Sequence, residues 1–475
     1  MSLSRALLCL LLASPTVLAI LQAPALPSAQ SVTTADRIYT ADQTSNTITV
    51  IKPLTNEVLG TIALGLPRMT NVLNPQYLQV VNSHGLGFSL DGEYLSHVSV
   101  TTNTLTVIRT ANNSIVSQTS VDRASREAFF EHDGRTVWVA CRGTNFVNLV
   151  DGMNGGVIDR IETPPGPSKV LFSPDGKLAY VNHIKSPTIS IIDVATRKVV
   201  DTITGLGDVF SSDMMISADG SRIWAVHKMI GKPSIIDLET RTVVTVLDTG
   251  LESNHPNFAI INETTFGFIT VAASNETRVY RQDTPSSVLT FFKSIPASGT
   301  EPHGIWCSPD NKFMYWANEH SDTVDVVDLS TMSVVSTLSV GQESQALVFV
   351  ANAVPPSSNT TGRENLGRQG LDKRVENRLI SVTNSTKSTA LFTTRELEGL
   401  GMVQIIGRSL QINQTYVATA ICYGCSAEVA RFTIVKFKAT VPIPGELGCA
   451  VAPQVLSFLP FFDNYDIDSL ELGLD

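Results

Sequence analysis

All eight histidines of this 475-residue chain lie between positions 84 and 320. His84, His255 and His303 each stand seven residues before a turn-forming pair: Asp91-Gly92, Asn262-Glu263 and Asp310-Asn311. Arg126, Ser168 and Ser212 hold the same place before Asp133-Gly134, Asp175-Gly176 and Asp219-Gly220. His183 and His227 stand eight residues after their pair, where Cys141 and Asn318 stand in other copies, and His320 is two further on. Imidazoles that titrate near neutrality can act as general acids and bases. Arginines beside them can stabilise an oxyanion or enolate, and His with Glu can hold a divalent metal. This reading makes His84, His255, His303, Arg126 and Glu301 the candidate catalytic residues. His183, His227, His320, Arg142 and Asn318 become candidate substrate-binding residues, with Lys185, Lys228 and Glu319 nearby. The plainer reading is that a single histidine beside a turn satisfies local structure, and that three at one repeat position reflect inheritance of the repeat. Against inheritance, the cleanest copy has Ser168 at that place. No short ligand motif, nucleophile elbow, phosphate loop or dinucleotide fingerprint is present. The sequence therefore predicts no cofactor and assigns no metal, while leaving a divalent ion available to the histidines.

The elements that must position these residues form a repeat. The turn pairs recur at steps of 42, 42, 44, 43 and 48 residues. A second marker, two apolar residues and then a charged one, recurs in the same register at Val50-Ile51-Lys52, Val107-Ile108-Arg109, Leu149-Val150-Asp151, Ile191-Ile192-Asp193, Ile235-Ile236-Asp237 and Val326-Val327-Asp328. The cleanest copy, residues 168–202, reads as four short strands joined by tight turns. Asp-Gly between apolar runs is a hairpin signal, because the turn needs positive φ. A four-stranded unit cannot bury both faces alone, so the copies must stack, and a period near 42 with four strands marks a β-propeller blade. The fold class is therefore all-β, a propeller of four-stranded antiparallel blades. Seven blades are predicted; the count also admits eight. In such a meander the start of the first strand and the end of the second share one end of the disc. All the candidate residues fall there, His132 falls on the opposite side, and His97 falls inside a second strand.

The segments LAYVNHIKSPTISIIDVATRKVVDTI, FMYWANEHSDTVDVVDLSTMSVVSTLSVG and RIYTADQTSNTITVIKPLTNEVLGTIALG resemble the YVTN-type propeller repeat, over about residues 36–350. The resemblance is specific for fold. It implies kinship with lactone-forming and lactone-opening propellers, with quinoprotein-like and haem-d1 propellers, or with cell-surface proteins. A haem role is disfavoured because Cys425 of the CxxC is followed by Ser426 rather than His.

Residues 36–62 supply three strands and lack an innermost one, so closure is expected from the C-terminal part of the chain. Gln345–Val350 keeps the repeat register, and strand-like segments after residue 376 offer a second way to complete the last blade. Residues 351–376 are polar and aperiodic and read as an exposed or disordered insertion. They end in the dibasic pair Lys373-Arg374, a candidate processing site. The propeller is expected over 36–440, with 441–475 as a C-terminal tail.

Residues 1–19, with Arg5 before a short apolar run and a Val-Leu-Ala ending, read as a secretory signal peptide rather than a membrane span. A secreted or secretory-pathway protein follows. Six sequons, at Asn112, Asn262, Asn275, Asn359, Asn384 and Asn413, are candidate glycosylation sites. Five of the six cysteines remain after the signal, and Cys422, Cys425 and Cys449 are the disulfide candidates. A net charge of −10 argues against nucleic acid or an anionic membrane surface as partner. A small organic molecule is the expected partner, and the sequence sets no oligomeric state. Two functions remain: a lactonase, isomerase or cyclase acting on a natural-product-like substrate, or a non-catalytic extracellular scaffold.

Overall fold

The structure is a computed structural model that describes residues 31–65, 82–217, 219–284, 288–385, 387–397, 400–422, 430–440, 455–460 and 469–475. The expected signal peptide, Cys425 and Cys449 lie outside the described residues. So does the side chain of Cys422, whose backbone ends a strand.

Seven four-stranded antiparallel sheets make the blades. Six are consecutive meanders, blades 2 to 7, with first strands Ser83–Phe88, Ser125–Phe130, Pro167–Phe172, Asp213–Ile216, Ser253–Ile261 and Pro302–Cys307. Blade 1 takes Arg37–Asp42, Thr47–Lys52 and Glu57–Ala63 from the N-terminal side and Ser344–Val350 as its innermost strand. Each innermost strand packs on those of the two adjacent blades, and the seven close into a ring. The predicted turn pairs are where φ turns positive, as at Gly92, Gly176 and Asn311. Trp138, Trp224 and Trp316 stand at nearly the same place in their second strands and are fully buried. Trp224 meets Phe258 edge to face at 5.1 Å, joining blade 5 to blade 6.

Closure comes from Ser344–Val350 and not from the segments beyond residue 376. Once Ser344–Val350 pairs with Arg37–Asp42, blade 1 has its innermost strand and no edge beside it remains for a further one. Those later segments form two sheets of their own. One orders Val375–Ser381, Thr389–Leu397, Leu400–Arg408 and Val455–Pro460; the other orders Ala430–Lys438, Thr415–Cys422 and Ser469–Leu474. They share a separate apolar core that includes Phe392, Val403, Ile405, Tyr416 and Leu472. Two stretches of the expected tail are therefore paired strands. The polar segment 351–374 is held against blades 1 and 2 rather than standing free. Thr61 and Gly367 exchange backbone hydrogen bonds at 2.9 and 2.7 Å, and Asn113 donates to the Gly362 and Glu364 carbonyls. Polarity marked this segment as uncovered, but its backbone donors and acceptors find partners on the blades.

Candidate functional site at the axial end

The position seven residues before each turn pair has a structural meaning. In blades 2, 3 and 4 the pairing of the first two strands skips one residue, namely His84, Arg126 and Ser168. In blades 6 and 7 the skip covers Asn254-His255 and His303-Gly304, and in blade 1 it falls at Gln345. A β-bulge leaves its extra residue out of the ladder and re-aims the side chain. Glycine after the bulge lets neighbouring inner strands approach: a Cβ on Gly85 would stand 1.9 Å from the Arg126 carbonyl oxygen. In six of the seven blades the first strand thus carries a residue outside the ladder, free to meet its neighbours around the axis.

These residues meet. Arg126 Nη1 is 3.2 Å from His84 Nε2. The rings of His255 and His303 have centroids 4.7 Å apart. His255 Nδ1 lies 3.2 Å from Asp213 Oδ2, and His303 Nε2 lies 3.8 Å from Glu319 Oε2. Glu319 Oε1 is 3.9 Å from His320 Nε2, which is 3.3 Å from Glu301 Oε2. Arg408, from the C-terminal sheets, stands 3.7 Å from Glu301 and chelates both carboxylate oxygens of Glu252. A path of polar groups therefore runs from blade 5 through blades 6 and 7 to the C-terminal sheets. Arg142 closes the opposite side, donating to Ser168 Oγ at 2.6 Å and to the Ser212 carbonyl at 2.8 Å.

Burial sets the electrostatics. It pushes the imidazoles of His84, His255 and His303 well below their ordinary value, and neighbouring cations add to this. For His84 the main neighbour is Arg126; for His255 it is Lys169. These rings are neutral bases near pH 7. Burial also lowers His320, but the Glu301 and Glu319 carboxylates outweigh it, so that its value is raised. Glu301 is lowered, because His320, Lys228 and Arg408 outweigh its burial. Burial and then the Glu301 charge push Glu319 up to about 7.

Three of the residues expected to bind substrate do not join this group. His183 Nδ1 pairs with the Thr188 carbonyl at 2.9 Å, and His227 Nε2 with Ser234 Oγ at 2.9 Å. Asn318 Nδ2 donates to Thr323 Oγ1 at 3.1 Å. Each bonds inside its own blade, because the end of a regular second strand keeps its side chain against the third. His97 is likewise buried in blade 2, with Ser83 Oγ at 2.8 Å.

Several residues of the site escaped the sequence reading. Glu127, Lys169 and Asp213 occupy the same repeat position, one residue after Arg126, Ser168 and Ser212, in three consecutive blades, all buried. Lys169 Nζ lies 3.0 and 3.2 Å from the two Asp213 oxygens. Burial pushes Glu127 up to about 7 in spite of Lys169. A charged residue opening an otherwise apolar inner strand was the available signal. Arg395 and Arg408 had none, since they lie outside the repeat. Among the described residues, Glu301, Glu319 and His320 are the group whose ligand atoms could hold a metal ion.

The fold is a seven-bladed propeller with a cluster of buried titratable groups at one end of its inner strands. Residues 128–348 match the family described as "Lactonase, 7-bladed beta-propeller". An uncharacterized protein of Salmonella typhimurium, YncE, is 28% identical over 143 residues, which are 29% of this chain and 36% of that protein. The chain thus spans about a third of the length of that curated relative. A periplasmic gluconolactonase of Pseudomonas aeruginosa superposes with a TM-score of 0.53 at 17% identity, over 66% of this chain and 99% of its own. Hydrazine synthase of Kuenenia stuttgartiensis gives 0.52 at 19% identity, over 68% and 99%. These two likenesses speak to the fold. The chain is a seven-bladed β-propeller, similar over residues 128–348 to the lactonase family of that fold.

Proposed function

We propose that the axial end binds a small organic lactone, or its open hydroxy acid, and catalyses ring opening or the reverse cyclisation. One observation carries this reading. His255 Nδ1 faces the Asp213 carboxylate, while its Nε2 is buried and has no hydrogen-bond partner among the described residues. A carboxylate accepting from Nδ1–H leaves the Nε2 lone pair as a general base. In the opening direction, Nε2 takes a proton from water as its oxygen bonds to the lactone carbonyl carbon. The ring C–O bond then breaks, and the same proton returns to the departing alkoxide. Arg126, beside His84, supplies positive charge for the carbonyl oxygen as it becomes anionic. An isomerisation would use the same base to move a proton between carbons. The family match and the gluconolactonase likeness support the lactonase class; the substrate is inferred only as small and organic. The sequence features of residues 1–19 support a secretory route. Asn262, Asn275, Asn359, Asn384 and Asn413 are exposed, as glycan acceptors require.

A scaffold function has one observation in its favour: outer strands present apolar side chains to solvent, with Val200 at 55%, Phe291 at 58% and Val335 at 54% exposure. The deciding experiment is pH-stat hydrolysis of γ- and δ-lactones by the full chain and by His255→Gln. Turnover that drops by about 10²–10⁴ in the variant supports the base. No turnover of any lactone by either protein would overturn the enzymatic reading in favour of the scaffold.

A further inference from the structure

The side chains of Glu301, Glu319 and His320 converge where blade 7 meets the C-terminal sheets. Their ligand atoms lie within 4.8 Å of one another, and all three residues are buried. His320 Nε2 is 3.3 Å from Glu301 Oε2 and 3.9 Å from Glu319 Oε1. The two spacings at His320 Nε2 would let it share an ion about 2.1 Å away with either carboxylate, at angles of roughly 100–135°.

The protons of His320 are set from its other side. Asn377 Nδ2 donates to the His320 carbonyl at 2.6 Å, which places the Asn377 amide oxygen toward Thr393. The Thr393 hydroxyl donates to that oxygen at 2.8 Å. Thr393 Oγ1 is then free to accept from His320 Nδ1–H, 3.3 Å away. Nε2 then faces the two carboxylates, where a cation could take the place of its proton. Consistent with this, His320 Nε2 and Glu301 Oε2 have no hydrogen-bond partner among the described residues, although the two residues are only 0% and 5% exposed. A metal-binding imidazole that hands its far N–H to an oxygen has this arrangement.

Charge points the same way. Glu252, Glu301, Glu319, Asp322 and Glu343 face the permanent cations Lys228, Arg395 and Arg408. Arg408 is taken by Glu252, and Arg395 by Asp322. Lys228 stands 3.9 Å from Glu301, and Glu319 accepts from the neutral Gln345 amide at 2.7 Å, with the His303 and His320 rings 3.8 and 3.9 Å away. Five carboxylates against three permanent cations leave His320 and bound protons to complete the balance, and a divalent cation could take their place.

We infer that Glu301, Glu319 and His320 bind one divalent first-row transition cation of the Mn²⁺ or Zn²⁺ class. One imidazole and two carboxylates suit such an ion, and three protein ligands leave positions open. His303 lies between Glu319 and His255, so the ion would be separated from the proposed base by one imidazole and could act on the same substrate. That role rests on the function proposed above; the binding itself does not.

The test uses the full chain after dialysis against a chelator, with Mn²⁺ or Zn²⁺ alone as probe. Calorimetry and Mn²⁺ electron paramagnetic resonance should show one ion per chain. Glu319→Gln and His320→Ala should each weaken binding by about tenfold or more. Glu319→Gln keeps the side-chain volume, and its circular dichroism establishes that it folds. Absence of binding, or binding that all three of Glu301→Gln, Glu319→Gln and His320→Ala leave unchanged, would overturn the site and assign the carboxylates a shared proton instead. Because the readout is binding, a failure to hydrolyse lactones would leave this result standing.

Discussion

Two groups of histidines share one end of the disc and have opposite surroundings. His183 and His227 stand at the ends of regular second strands, and their rings bond to the third strand of their own blade or to the residue just before it. His84, His255 and His303 stand at bulges that open the inner strands, and their partners belong to other blades or to each other. Residue type and height along the channel are the same. What differs is whether the ladder keeps the residue or expels it. A bulge converts a repeat position that would hold structure into one that faces the axis.

The strongest challenge to this contrast is a pair of substitutions at matched burial. His255→Gln should lower lactone turnover by about 10²–10⁴ with little change in melting temperature, whereas His183→Gln should leave turnover unchanged. Equal losses in the two variants would erase the distinction. Lys169→Met sharpens it on the stability side. It leaves Asp213 and Glu127 buried without their nearest cation, and urea denaturation should show a loss of about 3–5 kcal/mol. His227→Ala, which removes only a local bond to Ser234, should cost about 1–3 kcal/mol and leave ligand-induced stabilisation intact.

The pH dependence of stability separates the groups more gently. His183 and His227 are lowered by burial to about 4, so their stabilisation is present above the ordinary imidazole value of about 6.5 and is lost as pH falls through 4. Glu127 and Glu319, raised by burial to about 7, act in reverse. Their contribution is complete below the ordinary carboxyl value of about 4.3 and is lost as pH rises through 7. A double His183→Gln/His227→Gln variant should therefore flatten the acid limb of the stability curve, and Glu127→Gln the limb between about pH 4.5 and 7. Melting temperatures across that range measure both; an unchanged acid limb in the double variant would contradict the local, neutral role of these histidines.

The amino-acid sequence by itself determined the repeat. Alternating apolar strands, tight turns at fixed steps and a half-blade at the start specify stacked four-stranded units and a closing strand in register, because strand period and turn chemistry act over a few residues. It also placed His84, His255 and His303 together at one end, since register carries over from blade to blade. Only the tertiary structure decided which of those side chains meet. The bulges, the buried Glu127, Lys169 and Asp213, and the separation of His183 from the axis depend on packing between blades, over separations of 40 residues or more such as the 42 between Arg126 and His84. The arrival of Arg395 and Arg408 depends on a second sheet pair with its own core. No local pattern encodes where that pair docks, because its contacts with the ring join residues far apart in the chain, such as Arg408 and Glu252.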